Sequence, residues 1–388
     1  MRHMDEFLAE LYTPYLALTR GGTVMKITSV DLTPVASRRE TGHLSRHVIV
    51  RMHTDEGLIG LGEMSDVNDW SVMYDLNDVK GAYESLLVGK DPLAWRTITI
   101  EARSRFRMGG AIRAGFEIGL FDLVGKIQGQ SVAGVFGGAL RDKWRVCYPI
   151  FRNYSREDAE ANIARVNRRM KEGQDLFRLY HGGNVEADEI FLDGVKSSWG
   201  DQFVLKSLDF SGAHKWKRVV QALDVLLRYY RPFHLESVSD RRDLEGQYEV
   251  RKRIDLPISE HVSSLDQAYQ FARHRYVDIF NISLSGAGGF TNALHIAQVA
   301  DAAGLSCLVG TTQELSIGVA AQATFGSVVE NLDYPGDPTG GLLYESDVVK
   351  ERIQYEKGYV ILPEGPGLGM ELDEEKVAAI SEPLSSVS

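Results

Sequence analysis

Hydrophobic and polar positions change their period twice along this chain. From Met25 to about Val67 the pattern is that of strands, beginning with MKITSVDLTPV. VIVRMHTDEGLIGLGEM then reads as two strands joined at Asp55-Glu56-Gly57. Residues 78–140 turn helical. The run AIRAGFEIGLFDLVGKIQG places Ile112, Ala114, Phe116, Ile118, Leu120 and Leu123 in a mostly apolar helix, with Gly129 as its stop and Gly137-Gly138 as the next. A strand meander followed by helices predicts an α+β first domain.

After Lys143 strand-like runs alternate with helices at intervals of roughly 25–30 residues. The strand runs are RVCYPIF, DLFRLYHG, FVLKSLDF, PFHLES, LPISEH, DIFNISL and SCLVGTT. Ser155 with Asp158, and Ser264 with Gln267, are capping-box patterns at helix starts. HKWKRVVQALDVLLRYY is amphipathic, and TNALHIAQVADAAG stops at Gly304. Such alternation predicts parallel strands, and seven or eight units favour a closed (β/α) barrel over an open sheet. YVILPEGPGLGMEL, punctuated by Gly and Pro, is expected to pack back on the first domain. The layout is an N-terminal extension over 1–24, an α+β domain over 25–143, the barrel over 144–345 and a C-terminal return over 346–388.

Composition narrows the class. With 388 residues, 44% hydrophobic and 25% charged, the chain reads as an ordinary globular protein. Its formal charge of −11 argues against a nucleic-acid partner, because neutralising phosphates takes clustered Lys and Arg. The two cysteines, Cys147 and Cys307, sit in apolar runs without a CxxC spacing and read as buried thiols. No apolar run reaches a membrane-spanning length, and the acidic N-terminus (Asp5, Glu6, Glu10) is unlike a secretory signal, so the expectation is a cytoplasmic protein with no membrane partner.

Three predicted strands end in a carboxylate: Asp209 in VLKSLDFSG, Glu236 in FHLESVS and Glu260 in LPISEHVSS. They are 27 and 24 residues apart, one strand-helix unit each. Successive units of a barrel deliver their strand ends to one rim, so the three acids become neighbours there. Crowded like charges call for a cation, and an all-oxygen donor set points to Mg²⁺, with Mn²⁺ as the alternative. Any one of these acids taken singly reads more readily as a helix cap or a surface ion pair; three in succession at strand ends turn the reading towards a metal.

With these residues in view, the chain resembles the enolase superfamily in its mandelate racemase and muconate lactonizing branch, over roughly residues 25–375. MKITSVDLTPV, HTDEGLIGLGEM and AGFEIGLFDLVGKIQGQSVAGVFGGALRDKWRV are similar to that branch's capping domain running into its barrel. ISLSGAGGFTNALHIAQVADAAGLSC is similar to its sixth strand and helix, GTTQELSIG to its seventh-strand segment, and PEGPGLGMEL to its C-terminal return. The resemblance implies a (β/α)7β barrel, a modified TIM barrel, with a capping domain built from both ends of the chain. It places Asp209, Glu236 and Glu260 on the metal-ligand positions and Glu314 on that of an acid contacting the substrate carboxylate. It implies removal of a proton α to a carboxylate through a metal-stabilised enediolate, and a homo-oligomer.

The departures from that pattern shape the mechanism. The branch usually ends its second barrel strand with Lys-x-Lys; here Arg178 and Tyr180 hold those positions. Ser283 replaces the usual sixth-strand Lys or Asp, and Gly310 stands where some members carry a seventh-strand His. Tyr180 is therefore the candidate acid or base, with Arg178 expected to lower its pKa; binding substrate or solvent is the plainer role for both. His181 and His261 come next, and His261 is expected to point away from its neighbour Glu260 on a regular strand. Arg38, Arg39 and His43, in the loop that covers the site in this family, are candidates to clamp a second anionic group or simply a solvated cluster. Asp66, Asn68, Asp69 and Trp70 form a candidate second lid segment. Gly286-Ala287-Gly288-Gly289 reads as a tight turn rather than a phosphate loop.

Bases missing from both usual strands argue against a two-base racemase. The leading expectation is a Mg²⁺-dependent dehydratase of a hydroxy or sugar acid. A racemase, epimerase or cycloisomerase with unconventional residues is the alternative, followed by a non-catalytic homologue that binds a small carboxylate. A phosphate- or nicotinamide-binding barrel would have no need of the three acids.

Overall fold

The computed structural model describes residues 24–67, 74–105, 109–240 and 242–383. Residues 1–23 of the extension and the lid candidates Asn68, Asp69 and Trp70 lie outside the described residues. The first domain opens with an antiparallel meander of β1 (Ile27–Arg38), β2 (Leu44–Thr54) and β3 (Ile59–Met64). Helices α1 (Leu76–Leu87), α2 (Trp95–Arg105) and α3 (Gly110–Gln128) follow. α3 is buried along most of its length because it lies directly against β3. Glycine makes that approach feasible: a Cβ on Gly62 would lie 2.0 Å from the Gly115 carbonyl oxygen. Buried Asp122 of α3 accepts from the backbone N–H of Leu61 and of Leu368, both at 2.7 Å, tying β3 and the C-terminal return to one helix.

The barrel contains the seven strands read from the sequence, in chain order and all parallel: β5 (Tyr148–Ile150), β6 (Leu176–Tyr180), β7 (Val204–Asp209), β8 (His234–Glu236), β9 (Ile258–His261), β10 (Ile279–Ile282) and β11 (Ser306–Val309). Between them run α4 (Arg156–Lys171), α5 (Val185–Trp199), α6 (Trp216–Leu226), α7 (Leu244–Arg253), α8 (Leu265–His274) and α9 (Phe290–Ala302). After β11 comes α10 (Ser316–Val328). The chain then bridges the two edge strands: Leu332 pairs parallel with Cys307, and Gly336 pairs parallel with Val146. This irregular eighth strand completes the (β/α)7β order. Ser155 starts α4 with the expected capping box.

One run divides. RVCYPIF reads as a single strand, yet Lys143–Arg145 (β4) pairs antiparallel with β13 (Tyr359–Ile361), which in turn pairs with β12 (Tyr355–Glu356). The chain changes partner at Val146, whose N–H donates to Gly358, while that of Cys147 donates to Gly336. The C-terminal return continues to α11 (Glu374–Ile380) and reaches β1, where the Glu382 N–H donates to Pro34.

Candidate active site

Strand register brings two of the three predicted metal acids together. Tyr180 pairs with Asp209, and Asp209 with Glu236, at the C-terminal ends of β6, β7 and β8. Cross-strand partners face the same way, so these side chains share the barrel interior. Two buried carboxylates divide the cost of crowding unequally. Burial and Glu236 push Asp209 up to about 7. Glu236 is held well below the usual carboxylate range despite its burial, because Arg178, His261 and Lys206 surround it.

Arg178 is the centre of this cluster. Its Nη1 lies 3.1 Å from Asp337, 3.3 Å from Glu236 and 3.9 Å from Asp209, with almost no exposure to solvent. Its Nη2 donates to the Tyr180 hydroxyl, and its guanidinium carbon sits 4.5 Å from the centre of the Tyr180 ring. Arg178 and Tyr180 thus face the same side, as their spacing predicts. The expected fall in the Tyr180 pKa does not occur. Burial pushes the phenol up, and Asp209, Glu236 and Asp337 add to this, so the lowering by Arg178 is outweighed.

Glu260 does not join the pair. Its carboxylate accepts from Ser237 Oγ (2.9 Å) and the His261 N–H (2.8 Å), and lies 3.4 Å from Gln247 Nε2 of α7. The side chain that reaches the pair from β9 is His261, whose Nε2 is 3.3 Å from Glu236 Oε1. Alternation along β9 is regular, as expected; it is Glu260 that it turns away. Among the described residues no three His, Cys, Asp or Glu side chains are gathered closely enough, as they stand, to hold an ion, since the Arg178 guanidinium lies between the acids. The donor chemistry still suits a cation: Asp209 and Glu236 are adjacent, and Glu236 Oε2 is buried without a hydrogen-bond donor.

Several participants escaped sequence reasoning. Lys206 enters the interior because β7 bulges: the register slips between the pairs Phe177–Leu205 and Arg178–Ser207, leaving Lys206 as the extra residue. Asp337, on the irregular closing strand, has no periodic pattern to announce it. Asn281 donates to Glu236 Oε1 at 2.9 Å. At the rim, the half-buried Arg152 lies 5.4 Å from the Tyr180 ring centre and donates to Ser211 Oγ at 2.9 Å. Its position just beyond a predicted strand end was the one available signal.

The comparisons with known proteins agree with this architecture. The family model described as Enolase C-terminal domain-like matches residues 161–376, more than half of the chain, and that of the Mandelate racemase / muconate lactonizing enzyme, N-terminal domain matches residues 22–137. The chain belongs to the enolase superfamily, in its mandelate racemase and muconate lactonizing branch. It is 27% identical over 353 residues to a chloromuconate cycloisomerase of Cupriavidus pinatubonensis, covering 85% of this chain and 90% of that one. It is 26% identical over 344 residues to an N-succinyl-L-Arg/Lys racemase of Bacillus cereus, covering 86% and 90%. The structure of a muconate lactonizing enzyme from Pseudomonas putida superposes with a TM-score of 0.82 at 24% identity, covering 92% of this chain and all of that one.

The remaining candidates, most of them drawn from the superfamily pattern, are largely occupied within the fold. Glu314 accepts from the Thr312 N–H (2.9 Å), Thr312 Oγ1, Thr311 Oγ1 and Gln322 Nε2 (3.0 Å), so both its oxygens have donors in the fold. Ser283 caps a short helical turn, its Oγ accepting from the Gly286 N–H at 3.0 Å. Gly288 and Gly289, with φ of +84° and +118°, make the tight turn expected. A Cβ on Gly310 would meet Asn281 Oδ1 at 2.0 Å, which explains the missing side chain. Arg39 is buried against Asp66 at 2.7 Å, so its charge is already matched. Arg38 is exposed and donates to the Gly42 carbonyl, and His43 is exposed beside it. His181 turns behind the rim, its Nδ1 2.6 Å from Asp188 of α5. Glu40, unremarked in the sequence, fastens this loop to the barrel through Arg165, Arg168, Arg169 and the Tyr148 hydroxyl.

Proposed function

We propose that this enzyme removes the proton α to the carboxylate of a hydroxy or sugar acid and expels its β-hydroxyl, with Mg²⁺ or Mn²⁺ held at Asp209 and Glu236. The observation that carries this reading is the Arg178–Tyr180 pair at the end of β6, together with Ser283 and Gly310, which offer no titratable side chain at the positions where relatives' other bases are expected. A two-base racemase needs a proton carrier on each face of the substrate carbon. A dehydratase can work with one.

Tyr180 takes the α-proton and returns it to the departing hydroxyl, which leaves as water. Arg178 donates to the phenolic oxygen throughout and favours its anionic form. Asp337 and Glu236 keep Arg178 fixed for this task. Arg152 offers a second cationic contact at the rim, beside Ser211, for the polar groups of the acid. A divalent cation bound at the acids would polarise the substrate carboxylate and neutralise charges that now raise the Tyr180 pKa.

The test is a library of hydroxy and sugar acids in D2O with Mg²⁺, read by NMR for solvent deuterium and by semicarbazide for 2-keto acids. Exchange with keto-acid formation supports the reading. A lactone product without keto acid would favour a cycloisomerase, the activity in several relatives' names. Saturable binding without exchange for every ligand would make the chain a non-catalytic homologue.

A further inference from the structure

We infer that Arg152 receives a second carboxylate at the far end of the substrate, so that the preferred substrate is a diacid. This rests on the reading that Tyr180 acts on a hydroxy or sugar acid, and it does not rest on the cation. The charge balance of the mouth carries the argument. Arg178 is answered by Asp337 and Glu236, and Arg39 by Asp66. Arg38 donates to the Gly42 carbonyl within its own turn. Half-buried Arg152, by contrast, has no carboxylate partner among the described residues. Its guanidinium donates to Ser211 Oγ and keeps the rest of its five N–H groups for a ligand.

The fold holds that guanidinium in place. Arg152 follows closely on Ile150, the last residue of β5. Its guanidinium carbon is 5.4 Å from the Tyr180 ring centre, and that of Arg178 is 4.5 Å from the same point. An acid small enough to react at the Tyr180 hydroxyl can therefore extend to Arg152. Ser211 Oγ accepts from Arg152 and donates to Asp209 Oδ1 at 3.1 Å, and the Ser211 N–H donates to the same oxygen at 2.7 Å. Gly182 leaves room for the arginine stem: a Cβ there would lie 3.0 Å from Arg152 Cβ. Asp188 of α5 is buried and already taken by His181 and Asn153. Burial, His181 and Arg152 lower the pKa of His214, so it adds no charge near neutral pH. The planar fork then matches one carboxylate in both charge and shape. A phosphate monoester would bring close to two charges to a single guanidinium.

The experiment is calorimetric titration of the full-length protein with the aldaric acids of four to six carbons. Each is compared with its matching aldonic acid and with the terminal phosphate ester of that acid, at one fixed Mg²⁺ concentration. For wild type the best diacid is expected to bind at least about tenfold tighter than its monoacid, the scale of hydrogen bonds to a charged group. Arg152→Gln should erase most of that ratio and leave monoacid affinity as it was, which loss of folding would not do. Arg152→Lys, with the charge but not the fork, should keep part of it. A ratio absent from wild type, or one that survives in Arg152→Gln, overturns the assignment; a phosphate ester that binds tighter than the diacid overturns the choice of carboxylate. Diacid preference without deuterium exchange or keto acid overturns the dehydratase reading and leaves Arg152 standing. Exchange on monoacids alone does the reverse, and no binding by any acid overturns both.

Discussion

Lys206 Nζ and Asp337 Oδ1 lie 2.5 Å apart, and neither side chain touches water. The other Asp337 oxygen is 3.1 Å from Arg178. One carboxylate therefore answers two buried cations. Removing it leaves charge in a low-dielectric interior, and breaking such a pair from one side costs about 3–5 kcal/mol. Asp337→Ala should lose stability on that scale in urea unfolding monitored by tryptophan fluorescence. A loss below about 1 kcal/mol would show that the network relaxes or admits water.

Tyr180 sits in surroundings that keep its phenol protonated. If the phenolate is the working base, its fraction grows with pH throughout the neutral range. The rate of α-proton exchange should therefore climb between pH 6 and pH 9, approaching about tenfold per unit. Tyr180→Phe should remove exchange while Mn²⁺ binding persists. A pH-independent rate across that window would exclude Tyr180 as the base.

Glu117 offers a pH-dependent stability test away from the mouth. It accepts from the Thr291 N–H at 2.6 Å and from Thr291 Oγ1 at 3.1 Å, joining α3 to the start of α9. Burial raises its carboxyl from 4.5 to about 7. Between those values the native state binds a proton that the unfolded chain has released, so stability falls as pH rises through this window. Glu117→Gln should gain on wild type at pH 8 relative to pH 4, by on the order of 3 kcal/mol. An unchanged difference in urea midpoints at the two pH values would contradict the shift.

Gly310 cannot be given back a side chain cheaply. Its missing Cβ would stand 2.0 Å from Asn281 Oδ1. Gly310→Ala should cost roughly 1–3 kcal/mol through overpacking. Because Asn281 also donates to Glu236, the variant should weaken Mn²⁺ binding as well. The companion Gly310→Ala/Asn281→Ala should recover much of the stability loss, and failure to do so would place the strain elsewhere.

The layering of this protein was legible because its signals are local. Each of the seven strand runs contains a strand, and Ser155 caps its helix with Asp158 as written. Asp209 and Glu236 were readable as strand-end neighbours for the same reason. The failures concern direction and long-range partners. LPISEH carries two polar residues in succession, Glu260 and His261, and nothing in that string says which one faces inward; the partnership with Phe280 and Asn281 decides it. Arg39 reads as a cation over the mouth until Asp66, 27 residues later, takes its charge. Lys206 needs a bulge that propensity does not announce, and Asp337 lies on a strand too irregular to show a period.

The closing strand has a consequence for synthesis. Residues 332–336 run from a bridge with Cys307 to a bridge with Val146, and Asp337 follows directly. Until a ribosome has added residue 337, Lys206 is an internal ammonium without the carboxylate it pairs with in the finished chain. A barrel that closed before residue 337 arrived would bury Lys206 without that carboxylate, so early closure carries the cost of an unpaired internal charge.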